Sequence, residues 1–432
     1  MRVIRGLGWA LFAVALIVGL VNPAIVAAKT KDSLKAAFVR GGDLWVKTGD
    51  AERQLTKGEV VRNPKWSFDG EWIAYSTGEN QQELKLLQAS TGRSQLVSRT
   101  GGSNYQWSPD HNRLAFLLEQ KLVWVSPNMP DRQAEIAEGI GNYSWLPEGN
   151  GFIASTVTEL LPDGWTPVRI VEIPLTGNGV AAPKGQPASE GKPASLGRTL
   201  FVLPKQSDDF FAVGTSGFKY STSGKWIAFL ATPTASLSAD SNTLCLLASD
   251  GQGFRKVDQM VNNNEWFKWA DRGDKLAYIG GIGREATSNK QLKVLEAPTG
   301  KPISYTPSGY VDQGFTWEGL QHIVVSRAKE LKSTGSPATK PLPNLVEIKL
   351  QGPRNKPISQ PPAKYGDFNP QYLPYVNELG WVRSDRSQSN VLISGRGGKQ
   401  PQVWIKNIDA GADFYEQWRW SEVLSFYNRT EG

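Results

Sequence analysis

The sequence predicts an all-β chain whose four-stranded sheets stand as the blades of a closed β-propeller. Three observations predict it: an aromatic turn unit recurs at blade-like spacing, turn formers and aromatics are abundant, and strand-like pieces at the two ends complete one another. The 432 residues include 44 Gly, 27 Pro, 16 Trp and 12 Tyr, which favours many short strands over long helices. With 39% hydrophobic and 21% charged residues, the chain can bury a large core and is too apolar to stay disordered.

Residues 1–28 stand apart from the rest. Arg2 and Arg5 precede an uncharged, mostly apolar run from Leu7 to Val21; Asn22 and Pro23 break it, and Val26-Ala27-Ala28 supplies small residues for cleavage. The segment therefore reads as a signal peptide or, at 23 uncharged residues from Gly6 to Ala28, as an uncleaved membrane anchor. Either reading exports the body to the extracellular, periplasmic or cell-wall space. Without these residues, 46 basic side chains face 41 acidic ones. So mild an excess suits an anionic polymer or lipid surface, and no Lys/Arg cluster of the nucleic-acid-tracking kind appears. One Cys and two His exclude a disulfide framework and a zinc site of several Cys or His ligands.

The repeat is an aromatic, a small polar residue, a turn with Asp or Gly, and an apolar run. It reads Trp66-Ser67-Phe68-Asp69-Gly70-Glu71-Trp72-Ile73-Ala74-Tyr75, then Trp107-Ser108-Pro109-Asp110 leading to Leu114-Ala115-Phe116. Further copies start at Tyr220 and Trp269, and weaker ones at Trp145, Trp317 and near Tyr372. Ser67 and Asp69 can bond the turn backbone, Pro109 presets φ, and Gly70 or Gly224 tolerates positive φ, so each unit is a hairpin. Third strands follow at Leu84–Leu87, Leu122–Val125, Leu244–Leu247 and Leu292–Leu295, with a shorter fourth such as Ser94–Val97. Anchor spacings are 41, 38, 75, 49, 48 and 55 residues, against roughly 40–50 for a blade. The long gap holds a flexible Gly/Pro/Ala/Ser/Lys insertion at about 174–197.

Residues 36–56 give three strand-like pieces without an aromatic unit ahead of them, and Trp418-Arg419-Trp420-Ser421 reads as a first strand lacking partners. The termini are therefore expected to share the closing blade. With seven internal anchors this makes eight blades, or seven if Val423 to Tyr427 is a redundant second strand.

The aromatic-Ser-Pro-Asp-Gly turn, followed by a basic residue and Ile/Leu-Ala-Tyr/Phe, resembles the TolB-like (WD-repeat-like) β-propeller repeat, also found in the propellers of prolyl-oligopeptidase-type enzymes. The resemblance covers about residues 36–428. It implies a stand-alone exported propeller, since neither the N-terminal domain of TolB nor a hydrolase domain accompanies it, and it carries over no catalytic residues.

Gly214-Thr215-Ser216-Gly217 lacks the spacing of a nucleophile elbow, and His111, in a turn, and His322, opening an apolar run, have no Ser or Cys motif beside them. Gly281-Ile282-Gly283-Arg284-Glu285-Ala286 matches a dinucleotide fingerprint, but Gln291-Leu292-Lys293-Val294-Leu295 after it alternates like a strand, whereas a phosphate site needs a helix N-terminus. Ser238–Asn242 and Asp271-Arg272-Gly273-Asp274 lack the ligand alternation of a calcium loop. No catalytic residue, cofactor or metal is expected. Tryptophans 66, 107, 145, 269 and 317 share one repeat position and are read as interblade core, whereas Trp165, in Leu161-Pro162-Asp163-Gly164-Trp165, stands in a loop.

If the aromatic turn joins strands one and two on one face, the loops joining strands two and three lie on the other. These are the long ones, at 157–167, 231–242, 280–290, 327–344 and 384–400. Function tends to sit on loops held by a rigid scaffold, so Trp165, Arg284, Glu285 and Lys290 are the candidate partner-binding residues. The expected function is that of a non-enzymatic binding or scaffold protein of the cell envelope, recognising a protein or anionic polymer through this face. The alternative is a hydrolase or lyase acting on an extracellular glycan or peptide.

Overall fold

The turn unit folds as the sequence predicts. In a computed structural model that describes residues 34–175, 197–204, 207, 210–234, 241–331, 340–351 and 355–428, Ser67 N–H donates to Trp72 O at 2.8 Å. The Ser67 hydroxyl donates to Asp69 at 2.6 Å and accepts from Trp72 N at 3.0 Å. Gly70 has φ +71°, and a Cβ there would stand 2.8 Å from the Tyr427 ring, so both its backbone and its surroundings require glycine. The expected signal or anchor segment and the insertion at about 174–197 fall almost wholly outside the described residues.

Eight four-stranded antiparallel sheets follow, each running outward from the inner strand. Blade 1 is Leu424–Phe426, Lys35–Arg40, Asp43–Thr48 and Ala51–Gln54; blade 2 is Arg62–Trp66, Trp72–Thr77, Glu83–Gln88 and Ser94–Ser98. Blade 3 is Ser103–Trp107, Leu114–Leu118, Lys121–Ser126 and Met129–Ala137; blade 4 is Ile140–Trp145, Gly151–Thr156, Arg169–Pro174 and Arg198–Val202. Blade 5 is Gly214–Tyr220, Trp226–Thr232, Asn242–Ala248 and Arg255–Met260; blade 6 is Phe267–Trp269, Lys275–Gly280, Gln291–Glu296 and Ile303–Ser304. Blade 7 is Tyr310–Trp317, His322–Lys329, Asn344–Lys349 and Asn355–Pro357; blade 8 is Gly366–Leu373, Glu378–Ser384, Ser389–Gly395 and Lys399–Ile408.

The chain closes through blade 1, and the count is eight. The closing strand is Leu424–Phe426, paired Ala36↔Phe426 and Ala37↔Ser425, and not Trp418–Ser421. Trp418 and Arg419 instead belong to a hairpin, Ala412–Phe414 with Gln417–Arg419, and Trp420–Glu422 is a 3-10 turn. The segment 384–400 is also corrected: it contains the strand Ser389–Gly395, because the apolar Val391-Leu392-Ile393 run is buried against blade 7 and blade 1 neighbours. Only 385–388 joins strands two and three there.

Second strands carry the core: all six residues of Gly151–Thr156 are buried, whereas all four of the outer strand Ala51–Gln54 are exposed. The shared tryptophan position has a second role. Trp107 Nε1 donates to Lys65 O at 2.9 Å, Trp145 to Gln106 O at 3.1 Å, Trp269 to Lys219 O at 2.9 Å and Trp317 to Lys268 O at 3.0 Å. Each bond reaches the preceding blade's inner strand, and Trp66 makes the same bond to Ser425 O in the closing strand at 3.0 Å. In the reverse direction, the side chain just before an anchor donates to the following blade: Lys65 to Tyr105 O, Gln106 to Tyr143 O and Lys268 to Phe315 O, all at 2.9 Å.

Trp317→Phe keeps the ring and removes the N–H. Loss of one buried bond of this kind should lower unfolding free energy by about 1–3 kcal/mol in urea titrations; a loss below about 0.5 kcal/mol would show that the indole packs without latching.

Candidate functional site

Inner strands carry an extra residue where they line the central channel. Register shifts fall beside Asn63, Asn104, Gly217 and Asn369, whose φ angles of 56°, 52°, 64° and 49° suit Asn and Gly. The bulges turn amides toward the channel. Asn104 Nδ2 donates to Asn142 Oδ1 at 3.1 Å, Asn142 Nδ2 to Thr215 Oγ1 at 3.3 Å, and Ser216 Oγ to Asn262 Oδ1 at 2.8 Å. A polar network thus passes through blades 3, 4 and 5 to the connection before blade 6. It borders a cavity of about 440 Å³ that Glu265, Lys268, Gln313, Trp418 and Arg419 also line.

Three lysines precede anchor aromatics around this channel: Lys65, Lys219 and Lys268. Burial pushes Lys65 down to about 8, with the Glu265 carboxylate opposing. Burial and then the Lys268 charge push Lys219 down to about 7, and burial lowers Lys268 as well. Lys219 Nζ donates to Phe267 O at 2.8 Å and to Asn264 O. The channel's amides and the Lys268 ammonium suit hydroxyl-rich or anionic ligands.

The terminal hairpin covers the channel on the long-loop face. Glu416, 4% exposed, accepts from Arg386 at 3.1 and 3.2 Å and lies 3.6 Å from Lys340. Ala286 N donates to Tyr415 O at 2.9 Å, and Gln417 Nε2 to Arg284 O at 2.8 Å. Loops of blades 6, 7 and 8 thereby fix the hairpin across the mouth.

The four sequence-predicted residues separate. Trp165 is 45% exposed on a small hairpin, Leu160–Leu161 with Gly164–Trp165, beside Leu160 at 66% and Leu161 at 45%. Arg284 sits over the Tyr415 ring, 5.5 Å from its centroid, and 3.3 Å from its hydroxyl; Glu285 is half-buried in the same loop. Lys290 is corrected: it is fully buried, donating to Ile282 O at 3.2 Å and Ser288 O at 3.0 Å, so its ammonium holds the 281–290 loop and does not face a partner. Burial pushes it down to about 8, against the pull of Glu285 and Glu330. The structure groups Arg284, Glu285 and Lys290 on blade 6 and leaves Trp165 two blades away.

Sequence reasoning missed the channel lysines and the cap. The first had a legible signal, a Lys or Gln directly before the anchor aromatic at 65, 106, 219 and 268. The second had none, because Glu416 meets Arg386 and Lys340 only after eight blades close. Among the described residues neither histidine hydrogen-bonds a Ser, Thr or Cys side chain: His111 pairs with Asp110 at 2.6 Å and His322 with Glu347 at 2.8 Å. The Cys245 thiol is buried and pushed well up by burial.

Lys219 sets a pH test. Unfolded, it holds its proton to about pH 10; folded, it releases it near 7, so between these values the unfolded chain binds more protons and stability rises with pH. The stability difference between wild type and Lys219→Met should therefore grow in favour of wild type from pH 7 to 9 in urea titrations. A difference independent of pH would contradict the buried-ammonium account.

No protein-family model and no curated protein matches the chain. Among solved structures, a dihydro-heme d1 dehydrogenase, NirN, is similar over 93% of this chain and 76% of its own, with 11% identity and a TM-score of 0.55. A prolyl endopeptidase structure matches 81% of this chain at 13% identity and TM-score 0.49, and TolB from Acinetobacter baumannii matches 65% of this chain and 67% of its own at 16% and 0.36. The chain spans about half the length of the prolyl endopeptidase and of a puromycin hydrolase, at 50% and 55%. Among the described residues no helix is long and apolar enough to cross a membrane. The eight closed four-stranded sheets establish the chain as a β-propeller.

Proposed function

We propose that the protein is an exported, non-enzymatic TolB-like propeller that binds a cell-envelope protein through its long-loop face. The observation that carries this reading is the exposed apolar tip formed by Leu160, Leu161 and Trp165. An apolar tip of this kind costs solubility unless a partner covers it, and a rigid aromatic is an efficient anchor for a partner. Sidedness supports the same reading. Leu34 and Tyr427 both lie at the short-turn face, where Gly49 N bonds Leu34 O and Tyr427 N bonds Lys35 O at 2.9 Å. A retained N-terminal segment would leave that face, so the long-loop face points away from the membrane and toward soluble or wall-bound partners. The net positive charge adds weak attraction to anionic polymers.

A photo-crosslinker placed at Trp165 in the native host, beside a control probe at Glu71 on the short-turn face, tests the reading. The expected result is capture of one protein by the Trp165 probe alone. Equal capture by both probes, or no capture with glycan bound in the channel, would overturn it in favour of ligand or substrate chemistry at the cavity.

A further inference from the structure

Blade 7 departs from the repeat at two buried positions. Where the other internal blades place Ser67, Ser108, Leu146, Ser221, Ala270 and Leu373 directly after the anchor aromatic, blade 7 places Glu318, fully buried. Register puts Glu347, 9% exposed, opposite Val324, the position held by Val46, Leu86, Trp124, Leu246, Val294 and Ile393 elsewhere and, as a half-buried partner of Arg198, by Glu172 in blade 4. A buried carboxylate in place of Ser or Leu has no role in closing the turn, since Glu318 N already bonds His322 O at 2.9 Å through the backbone.

Neither carboxylate oxygen of Glu318 has an aligned hydrogen-bond donor. Arg396 approaches Oε1 to 3.1 Å as an ion pair from a half-exposed side chain, and its own aligned bond goes to Glu318 O at 3.0 Å. Burial pushes the Glu318 carboxyl above its ordinary range, opposed by the Arg396 charge and by the Gly397 amide. His322 Nδ1 stands 2.8 Å from Glu347 Oε1. One donor atom from each of Glu318, His322 and Glu347 lies within 4.8 Å of the others.

We propose that Glu318, His322 and Glu347 form a binding site for a divalent transition-metal cation of the zinc class. One imidazole nitrogen with two carboxylate oxygens is a donor set for such an ion, and donors about 2.0–2.2 Å from a tetrahedral centre stand about 3.3–3.6 Å apart. The three donor atoms, within 4.8 Å of one another, are already gathered near that spacing. Two charges arriving at the buried carboxylate add to the single Arg396 charge that offsets its burial. His322 is 31% exposed along its side chain, which gives the ion a route in. The site lies on the short-turn side of blade 7, on the other face from Trp165, so it stands or falls independently of the proposed partner surface.

The test uses the full exported chain, stripped with EDTA and titrated with ZnCl2 by calorimetry and with CoCl2 by visible absorption. One saturable site is expected, with His322→Gln and Glu318→Gln each weakening Zn²⁺ by at least about tenfold and abolishing the Co²⁺ bands, while His111→Gln changes affinity by less than about twofold. Absence of saturable binding to wild type, or affinity within about twofold of wild type in both His322→Gln and Glu318→Gln, would overturn the proposal. Glu318→Gln removes a buried charge, so it should fold, and a thermal melt without metal confirms that loss of binding is not loss of structure.

Discussion

Interblade hydrogen bonds at the inner strands hold this ring together. A propeller blade buries its faces only against its neighbours, so each sheet is stable to the extent that the next one is in place. The repeat solves this with two reciprocal donors on adjacent residues: an indole N–H reaching back to the previous blade and a Lys or Gln reaching forward to the next. Each such bond is worth about 0.5–1.5 kcal/mol net, but its loss strands a carbonyl in the seam. The last seam uses the same device, with Trp66 bonding the closing strand at Ser425 and Tyr427 packing edge-on to Trp66 at 5.8 Å.

Two seams differ. Blades 5 and 8 have Tyr220 and Tyr372 where the other internal blades have tryptophan; Tyr372 N donates to Thr316 Oγ1 at 3.1 Å across the blade 7 to blade 8 seam, and the blade 4 to blade 5 contact relies on polar pairs, Asn142 to Thr215 and Thr158 Oγ1 to Val213 O at 2.8 Å. The latter seam also carries the Trp165 hairpin. The forward donors have a second consequence. Of the lysines used as latches, Lys219 and Lys268 are half-buried beside one another, and burial with the neighbouring charge lowers the proton affinity of Lys219.

The architecture was legible because one physical unit repeats. The aromatic, the Ser-Asp turn and the apolar run each have a local reason, and their spacing alone counts the seven internal blades. The closing blade was legible in kind and misplaced in detail. Trp418 and Trp420 look like anchors, yet they stack on each other at 5.7 Å in the cap, while the short Leu424-Ser425-Phe426 carries the pairing. Site residues were less legible because a loop position does not encode direction. Lys290 reads as a surface cation, but its ammonium turns inward to satisfy loop carbonyls. Glu318, His322 and Glu347 are a turn, a strand start and the next strand, and only the sheet register brings them together.

Removing residues 424–432 tests the ring account most directly, because it deletes the closing inner strand and leaves every other blade's sequence intact. Hydrogen exchange read by mass spectrometry on the full and shortened chains should show protection lost together in blades 1, 2 and 8, with a lower unfolding midpoint. Loss confined to Lys35–Arg40, with the midpoint unchanged, would contradict a ring held by its inner-strand latches.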